Sequence, residues 1–411
     1  MKKTLTALAV LGAFAGSAMA ADVTIYGVID TGLQYQDTSY DGIDALAQNP
    51  DAADMAARYV DDSAFKMSSG VSAGSRFGIK GREDLGNGLA VSFVLENGFT
   101  SDDGALNNGG RLFGRESQVS FHTPYGTLAM GRMGNLVSGN GTYGLAGNLS
   151  PFGTSWGDYS ASVNNVMTTF DRYDNTVTYK SPEFAGVTVY AQYSFGTDAK
   201  NTYDGVEGKS SIDRYAAIGA TYANGPLNLV AIVDQTNYST TRFDAVNPNP
   251  DRDVDDALSF TLGGSYDFQV AKVYAGAQYF KDADINSVDR VSSSDFSLTP
   301  GDNFQMKGFG LALGADIPLG GGTFKVGTAY LDGTIEQVNK WDMADTEYGE
   351  FDLTRWNTSV GYQYNLSKRT SLYSVASYSY NNTEASKAVN NVTIDIDKNV
   401  VEAAVGLVHK F

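Results

Sequence analysis

The sequence predicts an all-β fold, a transmembrane antiparallel β-barrel of about sixteen strands, and three observations predict it. A two-residue rhythm of apolar and polar side chains recurs from Asp22 to Phe411. No stretch after Ala20 approaches the roughly 18 apolar residues that a membrane helix needs. Short and long connections take turns between the alternating segments. A chain that alternates throughout separates two environments, and the pair that suits a secreted chain is lipid outside and water inside.

Residues 1–20 open the chain with Lys2 and Lys3, an apolar stretch from Leu5 to Phe14, and the small-residue exit Ala18, Met19, Ala20. That layout is a secretory signal peptide. Its removal leaves residues 21–411 as one domain without a linker, and makes the formal charge of −18 more negative by two lysines. The first strand covers 23–35, with Val23, Ile25, Ile29 and Leu33 set against Thr24, Asp30 and Gln34. The clearest covers 187–195, where Val187, Val189, Ala191, Tyr193 and Phe195 interleave with Thr188, Tyr190, Gln192 and Ser194. Alternate side chains of a strand point to opposite faces, so one face is apolar and the other polar. The same pattern returns at 89–95, 227–233, 273–279, 309–317, 324–330 and 356–364.

Short turns fall at 84–88, 123–126, 181–186, 223–226, 267–270, 318–322 and 365–369. Between them lie long polar loops at 38–70, 101–110, 133–171, 197–211, 239–255, 282–303, 333–352 and 382–395. A soluble sandwich has no reason to sort its connections this way, whereas outer-membrane barrels pair short periplasmic turns with long outer loops. Tyrosine and phenylalanine gather near strand ends (Tyr35, Tyr193, Tyr279, Phe280, Tyr330, Tyr362, Tyr378 among them), as expected of rings at the headgroup level. About sixteen strands enclose an aqueous channel rather than a side-chain core.

Composition narrows the function further. Cysteine is absent and only His122 and His409 are present, so thiolate–metal sites and histidine catalysis have almost no material. No cofactor, metal or nucleic-acid partner is expected. The acidic surplus concentrates in the first, sixth and seventh long loops, where charge runs are by default solvated surface. They could also share divalent cations with lipopolysaccharide or enrich cations at the mouth. The cluster Asp251, Asp253, Asp255, Asp256 lacks the spacing of a calcium loop.

Several motifs carry a family resemblance. The opening DVTIYGVIDTGLQY, the hairpin GSRFGIKGREDLGNGLAVSFVLENGF, the runs LFGRESQVSFHTPYGTLAMGR and DRYDNTVTYKSPEFAGVTVYAQY, the turn YNLSKRTSLY and the ending VGLVHKF resemble the general porins of beta-proteobacteria and Neisseria. The resemblance implies a sixteen-stranded barrel, usually a homotrimer. It also implies that the third outer loop, here 133–171, folds into the lumen as a constriction.

It further implies a row of basic wall residues facing acidic ones: Arg76, Arg115 and Arg172, with Glu96 on the opposing side and Asp158 on the inserted loop. Strand parity independently turns two of these to water, since Arg76 alternates with Phe77 and Ile79 and Arg172 is in phase with Thr176 and Thr178. Arg115 shares parity with Val119 and Phe121, so it reaches the lumen only through a bulge or beyond the lipid. Fixed charges at a narrow waist replace part of a solute's hydration, and arginine favours anions. The expected function is an outer-membrane channel for passive diffusion of ions and small hydrophilic solutes with a weak anion preference.

Three rivals remain at this level. An enzyme in a barrel, such as a lipid hydrolase, needs a nucleophile with a positioned base, and neither histidine has a serine motif beside it. A receptor or adhesin would use the acidic loops, including 342–352. A substrate-specific sugar pore would use an aromatic track, and the sequence does not assign aromatics such as Tyr26 and Tyr190 to one. The expected partners are lipopolysaccharide and outer-membrane lipid, small ions and solutes, and the barrel-assembly machinery, whose recognition signal the ending at Phe411 resembles.

Overall fold

A computed structural model describes residues 22–42, 59–169, 172–198, 207–239, 242–243, 248–249, 254–285, 303–338, 350–385 and 395–411. The expected signal peptide, residues 1–20, and much of the acidic loops lie outside the described residues. The strands are β1 (Asp22–Asp41), β2 in two pieces (Asp62–Ser69 and Arg76–Gly86), β3 (Leu89–Gly98), β4 (Glu116–Thr123), β5 (Gly126–Gly134) and β6 (Arg172–Lys180). They continue as β7 (Val187–Ser194), β8 (Arg214–Asn224), β9 (Leu227–Asn237), β10 (Ala257–Asp267) and β11 (Lys272–Asp284). The last five are β12 (Asn303–Leu319), β13 (Gly322–Val338), β14 (Phe351–Asn365), β15 (Thr370–Ala385) and β16 (Asp395–Lys410). Each pairs antiparallel with its neighbours, and β16 pairs back onto β1 from Val28↔Lys410 to Asp41↔Asp397. The sheet is a closed barrel of sixteen strands, so no ladder edge is left for lipid to meet.

The apolar parity is the exposed one. In β14 Trp356, Val360 and Tyr364 are exposed while Arg355, Asn357 and Ser359 are buried. In β16 Val401, Val405 and Leu407 are exposed and Glu402 is buried. A water-soluble sandwich would reverse this, and its largest apolar patch rarely exceeds a few hundred Å². Two aromatic belts bound the apolar band. Phe309, Tyr330 and Trp356 form one arc, with ring centroids 6.0 and 5.9 Å apart along it. Tyr362 lies near the short turns and donates its hydroxyl to the Leu319 carbonyl at 2.9 Å. The strand from Trp356 to Tyr364, at about 3.3 Å per residue and a tilt of roughly 40°, rises about 20 Å, near the height of an outer-membrane apolar band.

The hairpin between β2 and β3 shows why its sequence is so specific. Gly86, Asn87 and Gly88 all have positive φ (80°, 53° and 77°), and the register shifts between Asp84 and Gly86. Only glycine and asparagine enter that region cheaply. At the seam, Gly27 and Phe411 exchange both backbone hydrogen bonds, at 3.0 and 3.1 Å.

Ordered strand reaches further than alternation predicted. The expected loop 38–70 contains ladder on both sides, since Thr31–Thr38 pairs with Ser69–Asp62. Likewise β12 and β13 remain paired to Asn303↔Val338, and β15 and β16 to Glu384↔Asp395. Beyond the lipid both strand faces meet polar surroundings, so the apolar alternation fades while backbone pairing continues.

Candidate pore constriction and loop anchorage

Residues 70–75 separate the two pieces of β2, and Asp30 holds this break together. Its Oδ2 accepts the backbone N–H groups of Ser72 and Ala73 at 2.8 and 2.7 Å, and its Oδ1 accepts the Tyr373 hydroxyl at 2.8 Å. The break frees the Val71 carbonyl from the ladder. That carbonyl accepts Trp156 N at 2.6 Å and Gly157 N at 3.2 Å, and the Ser72 carbonyl accepts Ser155 Oγ at 2.8 Å.

Residues 135–169 are otherwise irregular, apart from two short 3₁₀ turns (Ala146–Leu149 and Val163–Asn165), and largely buried. A buried irregular segment must find partners for its backbone polar groups. Polar-parity side chains of distant strands supply them. Leu136 N donates to Gln192 Oε1 (3.0 Å), Ala161 N to Ser359 Oγ (2.8 Å) and Thr168 N to Gln278 Oε1 (2.6 Å). Arg355 donates to the Asn165 carbonyl and Lys325 to the Pro151 carbonyl, both at 2.9 Å. Glu402 is fully buried, accepts Asp158 N and Tyr159 N at 2.9 Å each, and is also hydrogen-bonded by Gln34.

The apolar side of the segment lies on a track of wall glycines. A Cβ at Gly276 would stand 2.9 Å from Leu149 Cβ, one at Gly327 3.1 Å from the Phe152 ring, and one at Gly361 3.3 Å from the same ring. At Gly310 it would collide with the Val166 carbonyl. Here glycine serves close backbone approach.

The opposite side of the barrel gathers charge. Arg76 Nε lies 3.8 Å from Glu96 Oε2, and Arg115 Nε donates to Glu96 Oε1 at 2.7 Å. Tyr26 donates its hydroxyl to Glu96 Oε2 at 2.9 Å. Glu96 was expected to oppose the arginines; it is instead their neighbour on the same wall. The register Arg76↔Gly98 sets Glu96 two positions from Arg76's partner, a proximity that their separation along the sequence conceals. Arg115 reaches this group because it precedes β4, so the parity of Val119 and Phe121 does not bind it. Arg172 opens β6 opposite Gly134 and is buried, close enough to Glu116 on β4 to interact electrostatically. Asp158 places its carboxylate 3.9 Å from Lys66 Nζ on the first piece of β2.

Residues without a sequence signal complete the network. Arg132 donates to Asp174 Oδ1 at 2.6 Å, and Arg111 lies 3.2 Å from Asp174 and 2.5 Å from Asp198. Arg132 follows Gly131, whose φ of 137° accompanies a register shift in β5 that parity counting cannot foresee. Glu402 could have been found as the lone carboxylate in the apolar run VVEAAVGLV.

A closed barrel with an apolar outer belt and charged groups along a polar interior is a membrane channel. The chain belongs to the Gram-negative porin family, whose profile matches residues 7–385. It is 36% identical over 389 residues to an outer membrane porin protein of Bordetella pertussis, covering 93% of this chain and 95% of that one. It is 31% identical to outer membrane porin protein 32 of Delftia acidovorans, covering 91% and 88%. It is also 27% identical to the major outer membrane protein P.IB of Neisseria gonorrhoeae over the whole of both chains. Among solved structures it is similar to the anion-selective porin from Comamonas acidovorans, with a TM-score of 0.58 and 24% identity over 95% of this chain and all of that one. The protein is an outer-membrane porin, a channel for passive diffusion.

Proposed function

We propose that this porin passes ions and small hydrophilic solutes with a weak anion preference, and that Arg76, Arg115 and Arg172 produce the preference where segment 135–169 enters the lumen and narrows it. The observation that carries this reading is the side-chain anchorage of that segment to β7, β11, β14 and β16, which leaves the arginines of β2 to β6 to line what remains of the bore. Carboxylates offset most of that positive charge, which is why the preference is weak. The name of the Comamonas protein agrees in sign.

Association as a homotrimer fits the family, and lipopolysaccharide and lipid would meet the apolar belt. The alternating end of β16 with Phe411 suits recognition by the barrel-assembly machinery. His122 bonds Ser92 and Thr127, and His409 bonds Thr370.

The test is a planar-bilayer recording in a salt gradient. Arg76→Ala combined with Arg172→Ala is expected to move the reversal potential towards cations by several millivolts, with the channel still open. An unchanged potential removes both residues from the selectivity role.

A further inference from the structure

Two groups stand out among the bore cations. Those at the waist have carboxylates beside them: Arg76 and Arg115 share Glu96, Arg111 and Arg132 share Asp174, and Lys66 faces Asp158. On the other wall Lys325 bonds Asp316 at 2.8 Å. A second group lies nearer the short turns. Cross-strand neighbours run from Arg82 opposite Ser92, to His122 opposite Thr127, to Thr127 opposite Lys180, to Lys180 opposite Tyr190. Side-chain bonds follow the same line: His122 Nε2 is 2.7 Å from Ser92 Oγ and His122 Nδ1 is 3.0 Å from Thr127 Oγ1. Lys180 Nζ sits 5.8 Å from the centre of the Tyr190 ring.

This row borders a cavity of about 310 Å³ lined by His122, Thr127, Thr142, Tyr143, Lys180 and Ser181, with residues of the two adjoining short turns completing it. Thr142 and Tyr143 belong to the anchored segment, and the Tyr143 hydroxyl reaches Ser120 Oγ at 3.2 Å. Thr142 is committed to Glu116, to which it hydrogen-bonds. No carboxylate lines the cavity itself, and among the described residues neither Lys180 nor Arg82 has an acidic group within ion-pairing distance. An ammonium with no carboxylate within ion-pairing distance, set beside hydroxyl groups around an open space, forms a receptor for an oxyanion, because charge-assisted hydrogen bonds to phosphate or carboxylate are the strong ones.

We propose that this cavity is an oxyanion subsite at the periplasmic exit of the channel, taking the phosphate or carboxylate group of a permeating solute. Lys180 supplies the charge, Thr127 and Tyr143 supply hydroxyls, and Arg82, across the ladder from Asp22, adds a weaker positive potential. The proposal rests on the diffusion-channel reading and not on the waist arginines. Anion preference then has two sources, a compensated waist and an exit at which Lys180 has no ion-pair partner among the described residues.

The test uses single channels in dilute salt, where the Debye length is about 10 Å at 0.1 M, with tripolyphosphate added to one side at a time. In the wild type, tripolyphosphate from the short-turn side interrupts the current. Lys180→Gln with Arg82→Gln raises the half-blocking concentration on that side about tenfold, equivalent to ~1.4 kcal/mol, and changes block from the long-loop side far less. Lys180→Arg restores it. Pro182→Glu, on the exposed turn, gives the same loss without altering a strand and serves if the double variant fails to assemble. Equal block in variant and wild type, loss equal from both sides, or no block in the wild type overturns the subsite. Since Arg76→Ala with Arg172→Ala is read out by reversal potential, failure of the waist reading is seen separately.

Discussion

Two regions of this barrel, β8 to β14 and β2 to β6, are built from the same strand geometry and different interior chemistry. From β8 to β14 the interior wall carries glycines such as Gly276, Gly310 and Gly327 and neutral hydrogen-bonding groups such as Gln278, Asn357 and Ser359, with Arg355 and the Lys325–Asp316 pair among them. From β2 to β6 it carries Arg76, Arg132, Arg172, Glu96 and Asp174. The first region holds most of the segment 135–169; the second gathers the ion pairs of Glu96 and Asp174. Most of the hydrogen bonds that hold the segment come from strands outside the charged region, and Ser120 and Glu116 of β4 add bonds to its Tyr143 and Thr142.

That division is broken most severely on the supporting side. Gly310→Val would drive a side chain into the Val166 carbonyl, and backbone there has no room to yield. Overpacking costs typically 1–3 kcal/mol, about the upper part of that range here. The expected result is reduced assembly of heat-resistant barrel, with noisy, altered conductance in what does assemble. Normal yield and conductance would show that the track is incidental.

Glu402→Ala probes the same side more gently. It strands the N–H groups of Asp158 and Tyr159, at about 1–3 kcal/mol for each buried donor left without a partner. The barrel should still assemble, because β16 keeps its ladder, while current noise rises and closure occurs at lower voltage. Glu402→Gln, which retains one acceptor oxygen, should fall between. Quiet channels in the alanine variant would mean that Val71, Ser359 and Gln278 suffice to hold the segment.

Much of this was readable in the sequence, and the failures have physical causes. The segment 187–195 announced β7 because lipid and water make its two faces differ, and Arg76 and Arg172 were turned inward by the same parity. Arg115 resisted because it stands outside the ladder, where period two has no meaning. Arg132 was hidden by the bulge at Gly131. The glycine track was invisible since glycine in a strand signals a bulge, a bend or a close approach without saying which. Glu96 was placed on the wrong side because sequence gives a residue's face but not which neighbour a hairpin register sets beside it.

On the charged side, Glu96→Gln should sharpen the comparison by acting on selectivity alone. It removes the carboxylate that Arg76 and Arg115 share, and leaves the Tyr26 hydroxyl a neutral acceptor. The reversal potential is expected to move towards anions, opposite in sign to the change from Arg76→Ala with Arg172→Ala, with single-channel noise unchanged. A rise in noise like that of Glu402→Ala would show that the two regions are mechanically coupled.

Tyr26→Phe should have the smallest effect, and its smallness is informative. A greasy track for sugars needs ring faces presented to the solute, yet the Tyr26 ring has Lys80 Nζ 5.0 Å from its centre and its hydroxyl committed to Glu96. Removing that hydroxyl costs about 1 kcal/mol of net hydrogen bonding and leaves both the ring and the arginine pair in place. Liposome swelling with neutral sugars of increasing size should therefore give the wild-type ordering of rates, set by solute dimensions alone. A selective loss for one sugar would mean that the ring binds solute, and would turn the charged region from a filter of sign into a site of recognition.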